Sequence, residues 1–172
     1  MVEAVEITER QGLGLATVMA RKDVDATTIG EAVGLIPPSS PGHVGDAEMA
    51  WIGTGPAVWL VLSSAPAEDW PDALERRLAG LCAVSDQSGA YVVFRLSGPR
   101  ARALLQRGVA IDLHPDVFGP GAAATTVIAH IGAILWRPGQ DEAFEVAVFR
   151  SYSGGFRHWL DITLRALDPP QS

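Results

Sequence analysis

Lysine is almost absent from this 172-residue chain: Lys22, beside Asp23, is the only one. A lysine-based Schiff-base or phosphoryl-transfer mechanism therefore has a single candidate residue. Cysteine occurs once, as Cys82, which excludes internal disulfides and any cysteine-rich zinc or iron–sulfur centre. No apolar run approaches the roughly 18 residues of a membrane span. The opening MVEAVE lacks the basic and apolar regions of a signal peptide, so a cytoplasmic protein is expected. Charge is also scarce, at 19% of residues. With 13 basic against 20 acidic residues the net charge is −7, and a partner such as nucleic acid or an anionic membrane is not expected.

Apolar residues make up 48% of the chain, ample for a core and incompatible with intrinsic disorder. The length suits one domain, residues 1–172, and the pattern within it repeats. Residues 13–20 (LGLATVMA) read as a strand, with weak alternation over 3–7 before them. Asp23 or Asp25 caps a short helix that Gly34 ends. Residues 35–46, dense in Pro, Gly and Ser, read as a loop. Residues 48–52 and 57–62 form a hairpin whose second arm, AVWLVL, suits a strand buried on both faces. Glu68 or Asp69 opens a helix with Trp70, Leu74 and Leu78 on one stripe, an Asp72–Arg76 pair, and Gly80 at its close.

The order then recurs. Strands at 81–85 and 91–96 precede a helix that starts at Ser97-Gly98-Pro99 and ends at Gly108. A second Pro/Gly loop covers 112–121, and strands follow at 125–130, 133–136 and 144–149. Ser151 or Ser153 caps a last helix with Phe156, Trp159, Leu160, Leu164 and Leu167 on one face, and Asp161 pairs with Arg157 and Arg165. Strand, short helix, loop, hairpin and amphipathic helix thus occur in two pseudo-repeats, about 1–84 and 85–172. The expected fold is α+β: duplicated βαββα-type halves around a mainly antiparallel sheet. A parallel doubly wound sheet is disfavoured, because hairpins outnumber crossovers.

Catalytic equipment is sparse. His43, His114, His130 and His158 show no metal-ligand spacing, and Asp112 with His114 makes two ligands without a third. No Gly-x-Ser-x-Gly elbow, GxGxxG or P-loop occurs. Cys82, in the apolar context LCAV, reads as a core thiol. Arg95, Arg100, Arg102 and Arg107 form a local basic stretch, suited to an acidic partner or an anionic ligand tail, with a solvated helix face as the plainer reading. Among five tryptophans, Trp136, beside Arg137 at a strand end, is expected to be partly exposed and to mark a contact.

The second half carries a specific likeness. Ser85-Asp-Gln-Ser88, VVFRLSGPRARALLQRG, IDLHPDVFGPGAAATTVIAHIGAILWR and FEVAVFRSYSGGFRHWL closely resemble the gamma subunits of heterotetrameric sarcosine oxidases, above all in DLHPDVFGPG and FRSYS. Over residues 1–84 the resemblance is limited to element order and a GLGL stretch. Those subunits in turn resemble the folate-binding domain of the glycine-cleavage aminomethyltransferases, itself an internal duplication. The resemblance implies partners: an alpha subunit with NAD, FAD and a tetrahydrofolate domain, a beta subunit with flavin (FMN), and a zinc-binding delta subunit. Such a complex demethylates sarcosine to glycine, passes the one-carbon unit to tetrahydrofolate and forms hydrogen peroxide. Related oxidases of dimethylglycine or N-methylproline share the subunit plan.

Within this likeness the chain departs at one informative place. Where the aminomethyltransferases carry an acidic pair, it has Gly132-Ala-Ile-Leu135-Trp136-Arg137. An apolar side chain there cannot stabilise a developing iminium or amine charge. The KGC-type motif of the folate-binding iron–sulfur assembly proteins is absent as well. The resemblance therefore implies a non-catalytic packing subunit that itself holds no cofactor. Candidate partner contacts are Arg100, His114, Trp136, Arg137 and Arg150. A stand-alone folate-binding module is the alternative reading, and an independent aminomethyltransferase is disfavoured.

Overall fold

The computed structural model describes residues 5–46 and 48–167. In chain order the elements are β1 (Glu6–Arg10), β2 (Gly14–Ala20), α1 (Ala26–Val33), β3 (His43–Gly45), β4 (Met49–Gly55), β5 (Val58–Ser63) and α2 (Trp70–Arg77). The same succession follows as β6 (Cys82–Asp86), β7 (Tyr91–Ser97), α3 (Ala101–Leu105), β8 (Ala123–Ile128), β9 (Ile131–Trp136), β10 (Ala143–Phe149) and α4 (Ser153–Leu167). A 3₁₀ turn, Arg150–Tyr152, leads into α4.

The strands form two five-stranded sheets, ordered β3-β4-β5-β2-β6 and β8-β9-β10-β7-β1, and every pairing is antiparallel. Each succession contributes its first strand to the other's sheet. β1 pairs with β7, from Glu6↔Ser97 to Arg10↔Val93, while β6 pairs with β2. A break at 84/85 falls inside β6. The single sheet expected from sequence is thus two sheets, and each succession holds five strands, two more than a βαββα unit.

Strand alternation sets the layers. On β7, Val92, Phe94 and Leu96 face α3 and α4, where they meet Leu104, Phe156 and Leu160. Val93 faces the second sheet, within a layer that includes Leu15, Ile52, Leu60, Ile134, Trp136 and Ala147. The far side of that second sheet packs Val18, Trp51 and Val61 against Ile29 of α1 and Trp70 and Leu74 of α2. The order is helix, sheet, sheet, helix, and the middle layer lies between two sheet faces.

Local signals placed several boundaries. Asp25 caps α1 by accepting a hydrogen bond from the Thr28 N–H at 2.8 Å. Gly34 ends it at φ 82°, in the left-handed region. Other expectations are corrected by packing. Residues 43–45, read as loop, form β3, because β4 offers an edge for His43↔Ile52 pairing. Arg76 bonds Asp69 at 2.9 Å rather than Asp72. The helix after Pro99 is one short turn, and β8 ends at Ile128, since Ala129 and His130 take up the hairpin turn at positive φ. Neither serine caps α4 as an acceptor: Ser153 Oγ donates to the Arg150 carbonyl at 2.8 Å, and the helix enters through the 3₁₀ turn. The expected Asp161 pair is made with Arg157 at 3.1 Å.

Candidate functional site

The middle layer is apolar except at one end. There the inward positions of three neighbouring strands carry charge: Arg10 on β1, Arg95 on β7 and Glu145 on β10. Arg95 and Glu145 stand directly opposite in the β7–β10 register, so a cross-strand pair is built into the ladder. Arg95 Nη1 donates to Glu145 Oε1 at 3.2 Å, and Arg10 Nη1 to Oε2 at 2.9 Å. The Glu145 side chain is 5% exposed, against 24% for Arg10 and 38% for Arg95. A carboxylate so deeply placed persists only if it is paired, and here each oxygen has its own guanidinium.

This triad lies in a cleft of about 450 Å³ between the sheets, which His43, Trp136 and Asp141 also line. His43 is positioned by β3, and its N–H donates to the carbonyl of Gly121, in the loop before β8, at 2.8 Å. Burial pushes the His43 imidazole below its usual pKa, while the Glu145 charge acts the other way. Arg10 and Arg95 engage Glu145 through Nη1 alone, so Nε and Nη2 of each have no protein partner among the described residues. The cleft therefore offers spare N–H donors, a neutral imidazole and a carboxylate already committed to ion pairs.

A second network borders it. Glu142 Oε1 accepts from Arg102 Nη2 at 3.1 Å and from Arg137 Nη2 at 3.0 Å. Both guanidiniums lie over the Phe144 ring, at 5.0 and 5.9 Å from its centroid, and Phe118 stacks on that ring. Arg102 also donates to the Leu113 and Phe118 carbonyls, which pins the 112–121 loop to α3.

The residues expected from sequence fall in separate places. Trp136 is 1% exposed and Arg137 5%, so the partly exposed corner is corrected. β9 turns Trp136 into the middle layer, and the Arg137 guanidinium folds back onto Glu142. Arg100 bonds the Leu167 carbonyl at the end of α4, at 2.5 Å. His114 is exposed in a turn held by Asp112, which accepts from the His114 N–H at 2.8 Å. Arg150 caps the Gly89 and Tyr91 carbonyls at 2.8 and 3.2 Å, near the opposite end of β10. The solvated arginine face is corrected too: Arg95 belongs to the cleft, and Arg102 is nearly buried. Leu135 packs toward the helices.

Sequence reading passed over Arg10, His43 and Glu145 as a group. One signal was available: Glu145 is the lone charge in the run AFEVAVF, where an uncompensated acid has no place. Cys82 is buried and its thiol is raised by burial, as suits a core position. Among the described residues no group of three or more His, Cys, Asp or Glu side chains is placed to hold a metal ion.

Two paired antiparallel sheets flanked by helices, with this cleft between them, define an aminomethyltransferase-like fold. The glycine cleavage system aminomethyltransferase T from Bartonella henselae aligns over 91% of this chain and 45% of its own, at a TM-score of 0.61 and 15% identity. The chain belongs to the sarcosine oxidase, gamma subunit family, whose model matches residues 19–164. It is 30% identical to sarcosine oxidase subunit gamma of Corynebacterium sp. strain P-1, over 87% of this chain and 81% of that protein. It is 32% identical to the strain U-96 counterpart, over 90% and 75%. A chain of the heterotetrameric sarcosine oxidase from Corynebacterium sp. U-96, solved with pyrrole 2-carboxylate, superimposes at a TM-score of 0.87 and 26% identity, covering 98% of this chain and 87% of that one.

Proposed function

We propose that this chain is the gamma subunit of a heterotetrameric sarcosine oxidase-type complex, packing against alpha, beta and delta subunits and performing no chemistry of its own. In this reading the flavins, NAD and tetrahydrofolate belong to the partners, the complex works in the cytoplasm, and the chain is one domain of two intertwined repeats. The observation that carries the non-catalytic reading is Glu145: the buried carboxylate of the central cleft has both oxygens bound by guanidiniums. Neither oxygen stands free to take a proton from an amine. Arg100, His114 and Arg150 are retained as candidate partner contacts. Trp136 and Arg137 support that surface from inside the fold.

The fold family implies tetrahydrofolate as a ligand, and the cleft does not fit it. A reduced pterin presents a row of N–H donors, and the carboxylate at the cleft floor, Glu145, is a poor acceptor for them while both its oxygens already bind Arg10 and Arg95. The stand-alone folate module is accordingly the weaker reading. Co-expression of a tagged form of this chain with the alpha, beta and delta subunits tests the proposal. A yellow, flavin-bearing complex that co-purifies in fixed stoichiometry is expected. Elution of the chain alone, with active oxidase assembled from the other three subunits, would overturn it. Titration of the chain with tetrahydrofolate, followed by tryptophan fluorescence, is expected to leave the emission unchanged.

A further inference from the structure

We infer that the inter-sheet cleft is a binding site for a small organic monocarboxylate with a ring-sized apolar body. The inference is independent of the subunit role proposed above. Four observations bear on it. Two guanidiniums meet a single buried carboxylate at the cleft floor, a local excess of positive charge, while Asp46 and Asp141 stand elsewhere in the lining. Among the described residues each guanidinium keeps Nε and Nη2 without a protein partner, and these are the groups that would donate to a carboxylate in a two-point fork. Trp136, Ala50, Leu62 and Pro138 supply the apolar part of the lining. Finally, Asp46 and Asp141 stand among the lining residues, so a dianion such as phosphate meets roughly twice the repulsion that a monoanion does.

The arrangement is more than a structural ion pair. An inner position between two sheets would normally be filled by Val or Ile, as β7 and β9 do one step away at Val93 and Ile134. An arginine pair that served stability alone would spend its remaining donors on protein carbonyls, as Arg102 does in the neighbouring network. Arg10 and Arg95 instead leave theirs facing an open cleft of about 450 Å³, larger than a single-ring acid requires.

The test uses the full chain, labelled with nitrogen-15, and three probes: benzoate, its neutral isostere benzamide, and inorganic phosphate. Benzoate is expected to shift the Trp136 indole N–H and the Arg10 and Arg95 Nε–H resonances with saturation, while benzamide and phosphate leave them in place. Arg95→Gln should weaken benzoate binding about tenfold or more, the loss of one charge-assisted contact. Gly139→Leu provides a second variant, because a side chain at Gly139 meets open space at the cleft wall and leaves the ion pairs untouched. It should narrow the cleft and weaken benzoate while keeping the rest of the spectrum. Absence of saturable benzoate shifts, equal response to benzamide or phosphate, or unchanged affinity in both variants would each overturn the inference. Co-purification with partner subunits is unaffected by any of these outcomes, so the two proposals fail separately.

Discussion

Arg10 Nη1 lies 2.9 Å from Glu145 Oε2, across 135 positions of sequence and between the edge strand β1 and the central strand β10 of one sheet. The contact exists because β1 leaves its own succession of elements to pair with β7, next to β10. It links strand exchange to the charged end of the middle layer: without β1, the buried Glu145 would keep only the half-exposed Arg95.

Stability should therefore respond unequally to the two arginines. Arg10→Ala is expected to cost about 1–3 kcal/mol, since it strips one of two partners from a buried carboxylate. Arg95→Ala should cost about 1 kcal/mol or less, because solvent already screens a guanidinium that is 38% exposed. Urea denaturation midpoints at constant m-value would rank them, and the reverse order would contradict this account.

His43 should make stability fall in mild acid. Burial depresses its pKa in the folded chain, so the unfolded chain binds the proton more tightly. This contribution is complete above the unfolded value of 6.5 and is lost as pH falls from there through the folded-state pKa. Replacing His43 with Gln should flatten the decline in unfolding free energy that sets in as pH falls through 6.5. A second decline, lower in pH, is expected from Asp25, Asp46 and Asp86. Backbone N–H groups hold all three below the ordinary 3.8 of an aspartate, so their contribution is present above that value and lost beneath it. That lower step should survive in the His43 variant.

The DLHPDVFGPG loop should depend on Arg102. Its guanidinium is 12% exposed and joins Glu142, two loop carbonyls and the Phe144 ring. Arg102→Leu is expected to raise hydrogen exchange of amides in residues 112–121 well above that of β7 and β10. Arg102→Lys should not restore protection, because an ammonium cannot span several acceptors in a plane. Uniform exchange across the chain would point to global loss of stability instead.

Gly45→Ala should be severe for one methyl group. Gly45 sits at φ 138°, and a Cβ there would meet the Met49 carbonyl oxygen at 2.2 Å. Both the backbone strain and the clash oppose the substitution, with an expected cost of about 2 kcal/mol or more. A thermal melt is sufficient to show it, with Gly80→Ala as a control at positive φ but in open space.

Much of the fold is legible locally. Asp25 and Gly34 bracket α1 by hydrogen-bond chemistry that operates within a few residues, and the stripe Trp70, Leu74, Leu78 orients α2. The alternation Val92, Phe94, Leu96 against Val93, Arg95 assigns two faces to β7 before any partner is known. The likeness to the gamma subunits was carried by residues 85–172, and the family match extends back to residue 19. The cleft was much less legible. In the sequence Arg95 stands out only as part of a basic stretch, and Glu145 is not tied to any partner, because neither has a sequence neighbour that explains it.

The scarcity of charge, of lysine and of cysteine determined by itself that this is an apolar-cored domain without disulfides, and periodicity determined what kind of element each segment forms. Those properties depend on side-chain chemistry and on contacts a few residues away. Tertiary structure alone decided that there are two sheets rather than one, that β1 and β6 change places, and that Trp136 lies inside. A strand edge pairs with whichever edge folding brings alongside, here Glu6 with Ser97. Whether a charged side chain meets water or a buried partner is settled by that pairing, and by nothing in the residues next to it.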